Sequence, residues 1–167
     1  MKITFITLGG TIAKTYCFEK ATILNQLPVI EDIVASLQTP DLDISFNHLM
    51  HKDSLDMTNE DREQALIKVI DAFKDTQAVI LVQGTDTLAE TGMLLHKELS
   101  QMKGPVVITG AMKPYVIQGS DGTQNITEAL IAVRLLPPGV YSVMHNRVLS
   151  FPNVKKDYKN LTFTSNI

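Results

Sequence analysis

The chain has no tryptophan, one cysteine and only 6% aromatic residues among its 167 positions. A lone cysteine, Cys17, cannot close an intramolecular disulfide, which points to a reducing compartment. No apolar run approaches the roughly 18 residues that a membrane helix needs. The N-terminus begins directly with a strand and lacks a signal-peptide cleavage pattern, so a cytoplasmic location without a membrane partner is expected. Positive charge is not in excess: 15 Lys and Arg against 18 Asp and Glu leave a net charge of −3. Lys155 and Lys156 form an isolated pair rather than a polybasic segment, so no nucleic-acid partner is expected. The phosphate-cradling patterns Gly-x-x-x-x-Gly-Lys-Ser/Thr and, after the first strand, Gly-x-Gly-x-x-Gly are missing, which disfavours a nucleotide site. His48 and His51 have no third ligand nearby in sequence, so no metal is expected. No cofactor is implied.

What is present is an alternation of strand-like and helix-like segments. Length fits one domain over residues 1–167, with 44% hydrophobic and 20% charged residues. Ile3 to Leu8, Ala78 to Val82 and Val106 to Thr109 are apolar runs of the kind buried on both faces of a parallel sheet. Leu42 to Leu49 reads as a partly alternating strand, Val140 to Met144 and Arg147 to Ser150 as two more. Pro28 opens a helix bearing Val29, Ile30, Ile33, Val34 and Leu37 on one face. Thr58-Asn59-Glu60-Asp61 resembles a capping box before a second helix. Leu88 to Leu99 and the stretch from Gly122 to about Leu136 complete the helices, and Lys14 to Leu27 reads as a polar loop. This rhythm predicts an α/β fold, a three-layer αβα sandwich with a mostly parallel, flavodoxin- or Rossmann-like sheet. Residues 155–167 read as a tail or an added strand.

Three strands run into loops of small polar residues: Gly9-Gly10-Thr11, Gln83-Gly84-Thr85-Asp86-Thr87, and Gly110-Ala111-Met112 continuing to Gly119-Ser120-Asp121-Gly122. Ligands bind beyond the carboxyl ends of strands in such sheets, so a threonine there is a candidate nucleophile. Taken alone, Gly9-Gly10-Thr11 is equally a tight turn, and Thr85-Asp86 is most often just a helix cap. Asp121 and Asn125 read as capping or loop-tying residues, and Met112 as packing.

These loops resemble the signatures of the bacterial-type L-asparaginases, the threonine amidohydrolases. The resemblance rests on Gly9-Gly10-Thr11-Ile12-Ala13, Gly84-Thr85-Asp86-Thr87 with Glu90-Thr91, and Gly110-Ala111-Met112. Asp53-Ser54-Leu55-Asp56-Met57-Thr58 is similar to the family's substrate-carboxylate loop, and Asn153-Val154-Lys155-Lys156 to the segment bearing its lysine. Family members usually carry a second domain, so the chain looks like a short, single-domain relative. The resemblance implies Thr11 as nucleophile, Tyr16 as its activator, and Thr85, Asp86 and Lys156 as a proton-handling group. Gly10, Ser54, Gly84 and Ala111 would line the substrate site, with Ser54 and Asp86 on an amino acid's carboxylate and ammonium. An ammonium cannot accept a proton, so Lys156 would need partial desolvation or loss of its proton to help Thr85 activate water.

Two departures matter. The family usually has glutamine after the serine, where this chain has Leu55, and Gln83 stands where histidine is common. The expected function is hydrolysis of the side-chain amide of asparagine or a related small amide by a homo-oligomer, dimer or tetramer. The alternative is a binding module for a small carboxylate or amide.

Overall fold

A computed structural model describes residues 1–25, 29–99 and 101–165. Its centre is built by the apolar runs, each of which can be buried on both faces only if helices cover the sheet twice. The strands are β1 (Lys2–Gly9), β2 (Lys14–Cys17), β3 (Thr22–Asn25), β4 (Asp43–Lys52), β5 (Ala78–Val82), β6 (Pro105–Thr109), β7 (Gly139–Met144), β8 (Arg147–Ser150), β9 (Val154–Asp157) and β10 (Thr162–Ser165). The helices are α1 (Val29–Ala35), α2 (Asn59–Ala72), α3 (Leu88–Glu98) and α4 (Gly122–Leu135). A six-stranded sheet runs β4-β1-β5-β6-β7-β8, parallel except for β8. Pro28, expected to open α1, lies outside the described residues.

Alternation along the strands divides the core. Ile3, Phe5, Ile80 and Val107 join Ile30 and Ile33 of α1 and Ile126 and Val133 of α4 on one face. Ile6, Leu8, Val79, Leu81 and Ile108 join Val69 of α2 and Leu88 and Leu95 of α3 on the other. The fold is therefore the αβα sandwich that the sequence rhythm implies. The capping box forms: Thr58 Oγ1 accepts from Asp61 N, and Asp61 Oδ2 accepts from Thr58 N.

Two segments differ from the expectation. Residues 14–25 are not a plain loop but the antiparallel hairpin β2–β3. The stretch after Asn153 is strand rather than tail, but as a hairpin of its own: among the described residues β9 and β10 pair only with each other. Val154 and Phe163 hold this second hairpin down by entering the apolar core.

Candidate functional site

Backbones at the carboxyl edge of the sheet pack so closely that only glycine fits between them. Gly10 has φ +87°, and a Cβ there would stand 2.2 Å from Gly84 N and 2.4 Å from Gly84 Cα. A Cβ on Gly84 would stand 2.7 Å from Ser54 Oγ. One line of contact thus joins the turns after β1, β5 and β4, and it brings Gly10, the residue before the 3₁₀ turn Thr11–Ala13, against Gly84, the residue before Thr85. Gly110 belongs to the same stack, since its Cβ would lie 2.3 Å from Gln83 O.

Thr85 is buried at this junction, and its hydroxyl is approached from two sides. Lys156 Nζ donates to Thr85 Oγ1 at 2.7 Å and to Asp86 Oδ1 at 2.8 Å. Thr85 Oγ1 in turn donates to Met112 Sδ at 3.5 Å. The Lys156 side chain is 9% exposed, while Lys155 points to solvent, as strand alternation on β9 requires. The Lys156 ammonium also lies 5.0 Å from the Tyr158 ring centroid. Met112, read from the sequence as packing, is therefore a hydrogen-bond partner of Thr85.

Ser54 is buried at the start of a second 3₁₀ turn, Ser54–Asp56. Its hydroxyl accepts from Asp86 N at 3.2 Å, and its carbonyl accepts from Thr87 Oγ1 at 2.8 Å. In this arrangement Ser54 holds the Thr85–Asp86 turn in place. Leu55 beside it is 73% exposed. Asp53 caps the turn by accepting from Leu55 N, and the Lys14 ammonium holds its carboxyl below the usual carboxylate range despite partial burial. Gln83 is fully buried and donates from Nε2 to Gly84 O at 3.3 Å. The Ala111 methyl packs into the core, so only its backbone is available to a ligand. Tyr16 is not brought to this cluster. It sits on the outer face of β2, 52% exposed, with its ring edge-on to Phe18.

Asp121 and Asn125, read from the sequence as capping or loop-tying, do tie the loop after β6, in a polar network whose third member, His145, the sequence did not mark. Asp121 accepts from Met112 N at 2.9 Å, Lys113 N at 3.0 Å, Asn125 Nδ2 at 2.8 Å and His145 Nε2 at 2.8 Å. Burial pushes its carboxyl up, but these hydrogen bonds outweigh burial, and the net shift is down. Asn125 also donates to Gly110 O at 2.9 Å and accepts from His145 N at 3.2 Å. His145 and Asn146 form the two-residue turn between β7 and β8, both with positive φ, as that turn type requires. Elsewhere, His48 is engaged by Thr7 Oγ1 and Glu31. No cluster of three or more potential metal ligands occurs among the described residues.

An α/β sandwich with a buried threonine, a buried lysine and interlocked glycine turns at its carboxyl edge has the parts of a small-molecule site. The chain belongs to the asparaginase family: the model of the asparaginase N-terminal domain matches residues 2–164. The L-asparaginase of Thermococcus kodakarensis is 30% identical over 163 residues, covering 93% of this chain and 48% of that protein. A probable periplasmic L-asparaginase of Haemophilus influenzae is 31% identical over 169 residues, covering 92% and 46%. The solved thermostable L-asparaginase from Thermococcus kodakarensis superposes with a TM-score of 0.91 at 27% identity, over 99% of this chain and 51% of that one. A probable cytoplasmic L-asparaginase from Campylobacter jejuni gives a TM-score of 0.78 at 28% identity, over 98% and 51%. The chain thus spans about half the length of these relatives. No described helix is long and apolar enough to cross a membrane.

Proposed function

We propose that the chain hydrolyses the side-chain amide of asparagine or a related small amide through a threonine acyl-enzyme. The observation that carries this reading is the Lys156 ammonium, largely buried and bonded to both Thr85 and Asp86. The ammonium is paired with Asp86 at the carboxyl edge, where such sheets bind ligands, and it keeps a proton donor within reach of the Thr85 hydroxyl. The family's named relatives, all L-asparaginases, supply the reaction class.

In the first step Thr11 Oγ attacks the amide carbon, and backbone N–H groups of Thr11 and Thr85 hold the oxyanion. The C–N bond breaks, and the departing nitrogen leaves as ammonia with the proton from the Thr11 hydroxyl. Water then attacks the Thr11 ester once Lys156 has given up its extra proton: Thr85 Oγ1 takes the water proton as its own passes to the neutral Lys156 amine, and the same pair returns a proton to Thr11 Oγ as the carboxylic acid leaves. Lys156 donates to Thr85 Oγ1, and the Thr85 hydrogen points to Met112 Sδ. That hydrogen must turn away from sulfur before it can serve the relay. Tyr16 keeps its assignment as activator, which requires it to turn in from the outer face of β2. Tyr16→Phe tests this through kcat, with no stability cost expected for so exposed a hydroxyl.

A homo-oligomer, dimer or tetramer, belongs to the same proposal. Ile131 and Leu135 of α4 and Val148 of edge strand β8 border an apolar groove of about 260 Å³, a surface suited to an interface. A cytoplasmic setting accords with the lone, buried Cys17.

A binding-module reading is favoured by Ser54, whose hydroxyl is occupied by Asp86 N, and by aliphatic Leu55. Ammonia release from asparagine, glutamine and a panel of small amides decides between the two. Loss of turnover in folded Thr11→Ala and Thr85→Ala variants is expected. No turnover of any amide, together with a Tm raised by a small carboxylate, would establish the binding module instead.

A further inference from the structure

Lys156 reaches Thr85 from a hairpin that pairs only with itself, so something must fix that hairpin on the sheet. Apolar anchorage by Val154 and Phe163 sets its depth but leaves sliding and tilt open. Directional ties come from the β7–β8 turn and the first residue of β8. Arg147 Nη1 donates to Phe163 O at 3.1 Å, and His145 Nδ1 meets Thr162 Oγ1 at 3.2 Å. Both tied residues lie on β10, where Phe163 pairs with Lys156 and Thr162 with Asp157.

The second His145 nitrogen faces the other side of the site. Nε2 lies 2.8 Å from Asp121 Oδ2, and a carboxylate only accepts, so Nε2 carries the hydrogen. Nδ1 faces the Thr162 hydroxyl, which donates to a neutral ring and accepts from a protonated one. Asp121 uses the same oxygen to take the N–H of Met112, whose sulfur touches Thr85. The contacts close a circuit: Thr85 to Met112, Met112 to Asp121, Asp121 to His145, His145 to Thr162, and back through the hairpin to Lys156 and Thr85. Thr162 is buried, and the His145 side chain is 26% exposed, so water competes weakly for these bonds.

We infer that His145 is a positioning residue, bridging Asp121 and Thr162 so that Met112 and Lys156 both close on the Thr85 hydroxyl. Its side-chain partners are Asp121 and Thr162, so it acts through the hairpin and the 110–122 loop and not on substrate. The inference rests on Thr85 and Lys156 handling protons, and its test also reads their geometry without turnover.

The test uses the full chain with Thr162→Val, which removes only the distal hydroxyl, and His145→Asn, which a turn with positive φ accepts. Acetic anhydride labelling of each lysine is followed by mass spectrometry, beside the kinetics of ammonia release. Breaking the His145–Thr162 hydrogen bond, which both variants remove, should speed Lys156 acetylation roughly fivefold in either one, leaving Lys155 and Lys74 unchanged. The double variant should add nothing further, and Thr162→Ser should restore the original rate. The value of kcat should fall by a similar factor while KM moves less than about twofold. Unchanged Lys156 labelling in folded variants, labelling that rises equally at all lysines, or altered labelling with unaltered kcat would each overturn the inference. If the unaltered chain turns over no amide, the hydrolase reading fails, while the labelling pattern still decides whether His145 places Lys156.

Discussion

Lys156 Nζ and Thr85 Oγ1 meet at 2.7 Å although 71 residues separate them. One ammonium satisfies the threonine hydroxyl and the Asp86 carboxylate together. Lys155, its neighbour in the chain, has no share in this.

Lys156→Met keeps the aliphatic stem and deletes the charge and its donors. Ammonia release should fall at least about a hundredfold, the scale of a lost acid–base group. Stability should drop by less than about 2 kcal/mol, because the Asp86 side chain is 31% exposed and water can solvate it. Lys155→Met should leave both quantities unchanged. Equal losses in the two variants would show that the pair acts only through net charge.

Gly10→Ala tests the interlocked turns independently of any activity. The new methyl would demand φ near +87° of a residue with a Cβ, and would stand 2.2 Å from Gly84 N. Both neighbours are backbone, so nothing can swing aside. A loss of at least about 2 kcal/mol is expected from the strained conformation and the overlap together. A urea midpoint unchanged from the parent chain would show that the turns are looser than this contact implies.

The sheet was legible in the sequence because burial on both faces leaves a strong signal. Ile3 to Leu8, Ala78 to Val82 and Val106 to Thr109 could be little else. The two hairpins were not. Tyr16 pairs with Ile23 and Lys156 with Phe163 in strands of four residues that mix polar and apolar side chains without a clear period. Alternation did indicate that only one of Lys155 and Lys156 would face inward. His145 escaped notice because its partners, Asp121 and Thr162, lie 24 and 17 residues away. The faint signal was the two-residue gap between Met144 and Arg147, which places His145 in a tight turn. Met112 was hidden differently: a thioether reads as apolar until a hydroxyl is found pointing at it.

Asp121 makes stability fall in acid. Its carboxyl titrates lower in the folded chain than unfolded, so its contribution is fully present above the ordinary carboxylate value of about 3.9 and is lost as pH falls through the lowered folded value. Asp53 and Asp61, held down by Lys14 and Lys52, contribute with the same sign. Asp121→Asn should therefore reduce stability at neutral pH, and the gap to the parent should narrow as the pH falls below about 4. Urea titrations at pH 7, 4 and 3 measure it. A gap constant over that range would mean that Asp121 acts through shape and not charge.

Leu55→Gln asks whether the substrate departs from asparagine because of one side chain. Leu55 is 73% exposed in the turn after Ser54, so the exchange removes little buried surface and should leave Tm within about 1 °C. Glutamine is the residue that the resemblance places after this serine, where its carboxamide would meet the polar end of an amino acid. One added hydrogen bond of about 0.5–1.5 kcal/mol corresponds to a gain of roughly 2- to 13-fold in kcat/KM for asparagine. An amide without an α-carboxylate or α-ammonium cannot use that bond, so its kcat/KM should not move. A gain on both substrates would point to a general loosening of the turn, and a gain on neither would mean that Ser54, occupied by Asp86 N, already closes this end of the site.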